Sequence, residues 1–336
     1  MKTKTHFLFI LFLLFSSFLA SQEITRPQRY WVTFYDNGRQ MLMKIDQFGK
    51  IIVSPRPILT KGVVGNDLRW GAVISPGPSP ETMNIWFQRG GYSIAEYRAV
   101  LNVHNFGIKK IKRLFIDSVN YSVSGFHVTQ KDQNNFLTFH KRVGDLITGP
   151  LMAAGISNGQ LDGSIWQISP KDEDNFEGGG VSRDGRMSFF TQASDSRSRL
   201  YLQRLRLTGK PKGSRALVKV SEHYSALYCF DVSNVLPGKR RMALYFHYVG
   251  GCGPLSHLQL RPVNAETGEP TGKAINLLHS YDLIPAALDE SAQFVLYAIY
   301  DSLYYRQLDE SGHKTGPPKL VFKGVDQIGF IDIMKE

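Results

Sequence analysis

Val181-Ser-Arg-Asp-Gly-Arg-Met-Ser-Phe-Phe190, then Arg199-Leu-Tyr-Leu202, then Leu205-Arg-Leu-Thr-Gly-Lys-Pro211, is the stretch from which the architecture of this chain can be read. Short runs of aromatic and aliphatic residues alternate with turns built on glycine. Such runs suit a pleated, packed sheet surface, and glycine supplies the positive φ that a tight hairpin needs. The same grammar extends outward in both directions. Tyr30-Trp-Val-Thr-Phe-Tyr35, Met242-Ala-Leu-Tyr-Phe246 and Phe294-Val-Leu-Tyr-Ala298 are further strand-like runs. No long stretch carries apolar residues at the helical period of 3.6.

The turn at Leu205–Gly209 belongs to a repeat. An apolar residue, a polar one, two or three more residues and then glycine recur at Ile45-Asp46 to Gly49, Val103-His104 to Gly107, Phe139-His140 to Gly144, Leu205-Arg206 to Gly209, Val263-Asn264 to Gly268 and Leu308-Asp309 to Gly312. A second apolar run follows each, beginning at Ile58, Leu114, Leu151, Leu217, Ile275 and Leu320. The glycines lie 58, 37, 65, 59 and 44 residues apart, around the length of a four-stranded propeller blade.

The two ends complete the argument. The first unit starts at Tyr30 with room for three strands, and a surplus strand, Ile328-Gly-Phe-Ile-Asp-Ile333, follows the sixth unit. Pairing the two closes a ring and removes its open sheet edges. The expectation is an all-β, six-bladed propeller of four-stranded antiparallel blades, closed by a C-terminal strand that completes the first blade.

The fourth unit, with its Ser182-Arg-Asp-Gly185 turn, resembles the repeat of TolB-like, WD-repeat-like propellers of bacterial exported proteins. In that repeat a Ser-X-Asp-Gly turn joins the two inner strands. Asp289-Glu-Ser291 is a degenerate version, and Leu236-Pro-Gly238 replaces it in the fifth unit. The resemblance implies a propeller and an exported location, without naming a function.

Residues 1–21 read as a signal peptide: Lys2 and Lys4 precede the apolar run Phe7 to Ala20, which is too short to span a bilayer. Residues 22–336 then form one domain, secreted or periplasmic, expected to be a monomer without a transmembrane segment. The net charge is +11, with basic runs at Lys109–Arg113, Lys210–Arg215 and Lys239–Arg241 placed at turns or strand edges, where lysine discourages edge pairing. Export argues against nucleic acid as partner. A bridge between Cys229 and Cys252 is disfavoured, because Cys252 falls about eight residues beyond the strand position opposite Cys229.

Catalytic motifs in this sequence are few and lack the context their chemistry needs. Gly155-Ile-Ser-Asn-Gly159 matches G-x-S-x-G but lacks the strand-to-helix context of a nucleophile elbow, and reads as a loop between blades. Asp172-Glu-Asp-Asn-Phe-Glu177 departs from the calcium-loop template at Phe176 and Glu177. The histidines show no close zinc spacing. No cofactor or metal is expected, and no catalytic residue is assigned.

Topology then directs attention to the loops leading into each innermost strand, which converge around the channel mouth. They carry Asp67, Arg69 and Trp70; Asn120 and Tyr121; Glu177; His223 and Tyr224; and His279, Tyr281 and Asp282. Aromatic, imidazole and carboxylate groups at one mouth suit recognition of a protein, peptide or small extracellular ligand. The alternative is a polysaccharide lyase or glycoside hydrolase acting on acidic sugars, using the same carboxylates and histidines.

Overall fold

The computed structural model describes residues 27–59, 68–90, 94–113, 121–122, 135–141, 149–157, 160–170, 176–194, 196–223, 225–249 and 256–336. They form six four-stranded antiparallel sheets. Blade 1 contains β1 (Arg29–Asp36), β2 (Arg39–Asp46) and β3 (Ile51–Leu59). Blade 2 contains β4 (Leu68–Pro76), β5 (Thr82–Gly90), β6 (Ile94–Asn102) and β7 (Ile108–Arg113). Blade 3 contains β8 (Tyr121–Ser122), β9 (Asn135–Lys141), β10 (Leu151–Ser157) and β11 (Gln160–Gln167). Blade 4 contains β12 (Phe176–Val181), β13 (Met187–Ser194), β14 (Arg197–Arg204) and β15 (Ala216–Val220). Blade 5 contains β16 (Ser225–Val232), β17 (Arg240–Val249), β18 (Ser256–Asn264) and β19 (Ile275–Ser280). Blade 6 contains β20 (Ala286–Leu288), β21 (Phe294–Ile299), β22 (Ser302–Gln307) and β23 (Lys319–Lys323).

The last strand, β24 (Ile331–Lys335), returns to blade 1 and pairs antiparallel with β1, Tyr30 opposite Lys335 and Phe34 opposite Ile331. Closure therefore occurs as the two ends of the sequence require, with the pairing strand starting three residues later than Ile328. The first strands of successive blades lie beside one another around the axis: β12 by β16, β16 by β20, β20 by β24, and β24 by β4.

Packing confirms the circle. Each of the six blade-to-blade seams holds its own hydrophobic cluster. The seam that joins the chain's two ends buries Tyr30, Val32 and Phe34 of blade 1 against Phe294, Leu296 and Tyr305 of blade 6. Burial falls outward within a blade: Phe294–Ala298 on the second strand of blade 6 is buried throughout, whereas the fourth strand β23 is mostly exposed. This explains why second strands read as continuous apolar runs and outer ones do not. Among the described residues no helix is long and apolar enough to cross a membrane.

The repeated turn has a chemical basis that runs through its polar residue. Asp46 Oδ1 accepts bonds from the Phe48 and Lys50 N–H groups, both at 2.9 Å; Asp309 Oδ1 accepts from Ser311 at 2.8 Å and His313 at 2.9 Å. Asn264 Oδ1 does the same for Glu266 and Thr267. These are Asx turns, and Gly49, Gly268 and Gly312 adopt the positive φ that closes them, as Gly209 does in the backbone-bonded turn after Arg206.

Two repeats were misplaced by sequence. In blade 2 the turn begins at Asn102 rather than His104, since Asn102 Oδ1 accepts the His104 and Asn105 N–H groups. Phe106, at φ 61°, takes the left-handed position expected of Gly107. In blade 3 the Phe139–Gly144 segment follows the second strand, not the third, and Gly144 lies outside the described residues. The outer hairpin of that blade instead joins β10 to β11, with Ser157 opposite Gln160. It falls midway between Gly107 and Gly209, which removes the uneven spacing. The Gly155–Gly159 segment is thus part of a hairpin within blade 3, not a link between blades; Asn158 and Gly159 lie outside the described residues.

Candidate functional site

The antiparallel order gives the ring two faces. One carries the loops entering each first strand together with the hairpins between second and third strands. The opposite face carries the hairpins between first and second, and between third and fourth, strands.

Of the residues expected at the entry mouth, Asp67 and Tyr224 lie outside the described residues, as does Asn120. Arg69 and Trp70 lie within β4, Tyr121 within β8 and Glu177 within β12, so these belong to inner strands rather than to the loops before them. His223, His279, Tyr281 and Asp282 are exposed. His279 sits near the end of β19, beside its cross-strand neighbour His257.

The structure gathers Tyr281 and Asp282 into a patch whose other members sequence did not single out. Tyr300, in the hairpin between β21 and β22, donates its hydroxyl to Asp282 Oδ2 at 3.0 Å, and that carboxylate raises the Tyr300 phenol pKa. The loop entering blade 1 joins them through two backbone bonds, Gly324 N–H to Asp301 O at 2.6 Å and Ile328 N–H to Tyr300 O at 2.8 Å. Tyr281 is 78% exposed, Val325 74%, Tyr300 67% and Leu283 41%. An available signal for Tyr300 was an aromatic residue directly at the turn of Ala298-Ile-Tyr-Asp301, where no strand neighbour could cover it.

The axis is crossed by charge. Arg183, from the Ser182–Gly185 turn of blade 4, ion-pairs with Asp332 of β24 and donates to Ile74 O at 3.0 Å and Ile333 O at 2.6 Å. The second Asp332 oxygen accepts the Ile74 N–H at 2.8 Å. Asp231 of β16 lies close enough to feel both groups: burial, the largest effect, and the Asp332 carboxylate push its pKa up to about 7, against the pull of Arg183. Asp332 is raised mainly by burial. Sequence offered no means of pairing residues 149 positions apart.

On the opposite face a depression of about 1220 Å³ opens between the turns of blades 4, 5, 6 and 1. Four of its charges are committed to one another. The fully buried Arg241 grips Asp184 through two bonds, at 3.1 and 2.7 Å, and Arg204 pairs with Glu266. These pairs tie blade 4 to blade 5. They give this part of the lining a structural role as a joint between the two blades.

Solved structures with the same shape are similar to this chain only in fold. A nidogen–laminin complex structure aligns at TM-score 0.56 and 7% identity, covering 90% of this chain and 98% of the other. TolB from Acinetobacter baumannii aligns at TM-score 0.54 and 11% identity, covering 94% and 69%. The chain has the TolB-like six-bladed propeller fold. An ulvan lyase, from a polysaccharide lyase family, aligns on this propeller at TM-score 0.53 and 9% identity, covering 87% and 81%. No family model matches the sequence, and no curated protein does.

Proposed function

We propose that this chain is an exported, non-catalytic binding propeller that holds a protein or peptide segment on its entry face, across blades 5, 6 and 1. The observation that carries this reading is the contiguous exposed surface of Tyr281, Leu283, Tyr300 and Val325, held in place by the Asp282 hydrogen bond and two backbone bonds. Exposed aromatic and aliphatic groups on a rigid frame are the usual anchors of protein recognition. The apolar run Phe7 to Ala20 behind Lys2 and Lys4 supports export. Screening the purified protein on a peptide array tests the proposal. Ligands should be lost at least about tenfold in a Tyr281→Ala/Tyr300→Ala variant that melts like the parent. Peptides held equally well by that variant reject the surface.

A second reading, action on acidic polysaccharides, is favoured by one observation. A groove of about 780 Å³ between the outer turns of blades 5 and 6 is lined by Arg240, Lys273, His313 and Lys314 beside Asn276 and Ser311. Incubation with uronate polymers decides it: shortened chains or new unsaturated ends support it, and unchanged polymer with no retention on an anionic matrix removes it.

A further inference from the structure

Three histidines stand in one row across blade 5. The strand register places His247 of β17 opposite His257 of β18, and His257 opposite His279 of β19. Residues directly opposite share a sheet face. That face looks toward blade 4, because the alternate residues Ala243 and Tyr245 of β17 pack in the seam with Met187 and Phe189. The rings follow the register: His257 and His279 lie edge to face with centroids 4.7 Å apart, and His247 and His257 are 6.4 Å apart.

Two nitrogens in this row are buried without a hydrogen-bond partner, Nε2 of His247, whose residue is only 5% exposed, and Nδ1 of His257. Buried polar atoms are rarely left so, and each calls for a reason. Lys219 and Glu222 lie within electrostatic reach of both rings. An imidazole nitrogen that carries no proton keeps a lone pair free for a ligand.

We infer that the seam between blades 4 and 5 binds a borderline divalent transition cation, zinc or copper(II), with His257 and His279 as its two imidazole ligands. Two rings on one ion at the usual metal–nitrogen length of about 2 Å have centres roughly 5 Å apart, close to the 4.7 Å between the His257 and His279 rings. Imidazole nitrogen selects zinc and copper over magnesium and calcium, which prefer oxygen. Among the described residues no set of three or more His, Cys, Asp or Glu side chains converges on a point. The pair therefore supplies a two-ligand chelate that water completes, with His247 buried behind it and Glu222 offsetting the charge of Lys219.

Calorimetric titration of the full chain with zinc chloride tests the site, together with electron paramagnetic resonance of the copper(II) form. One equivalent should bind saturably in the micromolar range, with nitrogen couplings in the copper spectrum. His257→Asn or His279→Asn should weaken binding at least about tenfold, while His104→Asn and His313→Asn, on blades 2 and 6, should not. Long-range nitrogen–proton spectra of the unaltered protein give a test that needs no variant: zinc should shift the imidazole signals of His257 and His279. Unshifted rings, absence of saturable binding below about 1 mM against the micromolar range expected of paired imidazole ligands, or full affinity in the His257→Asn/His279→Asn double variant would overturn the assignment.

Discussion

Arg183 and Asp332 join blade 4 to blade 1, the blade opposite it in the ring, through an ion pair across the axis. Their side chains are 15% and 8% exposed, so little water is available to replace a lost partner. Arg183 also holds the carbonyls of Ile74 and Ile333, which makes it a brace for the inner strands of blades 1 and 2. Because β24 is also the closing strand, the pair secures the point at which the ring could open.

Arg183→Ala should therefore cost about 3–5 kcal/mol, since it leaves Asp332 buried and uncompensated. A joint Arg183→Met/Asp332→Leu replacement should cost clearly less, because no bare charge remains. Urea unfolding of the three proteins checks the order. Equal losses in the single and double variants would show that the charge pairing is not what matters.

Asp231 predicts a pH dependence of stability. Its folded pKa of about 7 exceeds the unfolded value near 4. Below that lower value both states are protonated and the group contributes no difference. As pH rises from about 4 to about 7, only the unfolded chain releases this proton, so stability falls, then levels off. Asp231→Asn should remove this component and raise stability at pH 8 by roughly 2–4 kcal/mol relative to pH 4. Denaturation midpoints at three pH values measure it; identical slopes for both proteins would contradict it.

Two glycines with the same backbone angle should behave differently. Gly38 (φ 74°) and Gly49 (φ 75°) both lie in turns of blade 1, yet a Cβ on Gly38 meets nothing within 4 Å, while one on Gly49 would lie 2.5 Å from Tyr305 Cγ. Gly38→Ala should cost about 1–2 kcal/mol of backbone strain alone. Gly49→Ala should cost roughly 2–5 kcal/mol, adding displacement of the Tyr305 ring, whose hydroxyl bonds Gln47 O at 2.6 Å. Thermal melts of both variants give the comparison, and near-equal losses would mean that the ring yields freely.

Tyr281 and Tyr300 are exposed and outside the core, so their joint replacement by alanine should change stability by no more than about 0.5 kcal/mol. Loss of peptide capture without loss of stability is the outcome that distinguishes a recognition surface from a packing one. A drop in melting temperature of several degrees would assign these rings a packing role.

The fold was legible because propeller blades repeat chemistry as well as length. Asp46, Asn264 and Asp309 each seed the same turn, and the missing first strand had its counterpart at the C-terminus. Blade 3 misled because Phe139–Gly144 carries the turn pattern one hairpin early, and blade 2 because Phe106 occupies a backbone conformation ordinarily left to glycine. The candidate surface was only partly legible. Topology pointed to Tyr281 and Asp282, with Leu283 next to them in the same loop, but Tyr300 and Val325 join them only through contacts between separate loops.

By itself the sequence determined the strand content, the six-fold repetition and the closure by the last strand, because these depend on local periodicity, turn residues and the count of strands at each end. Only the tertiary structure decided that Arg183 would meet Asp332, that three histidines would align across blade 5, and which loops would share a face. Those outcomes depend on register and on curvature around the ring. They place residues far apart in the chain side by side, and no local preference encodes that.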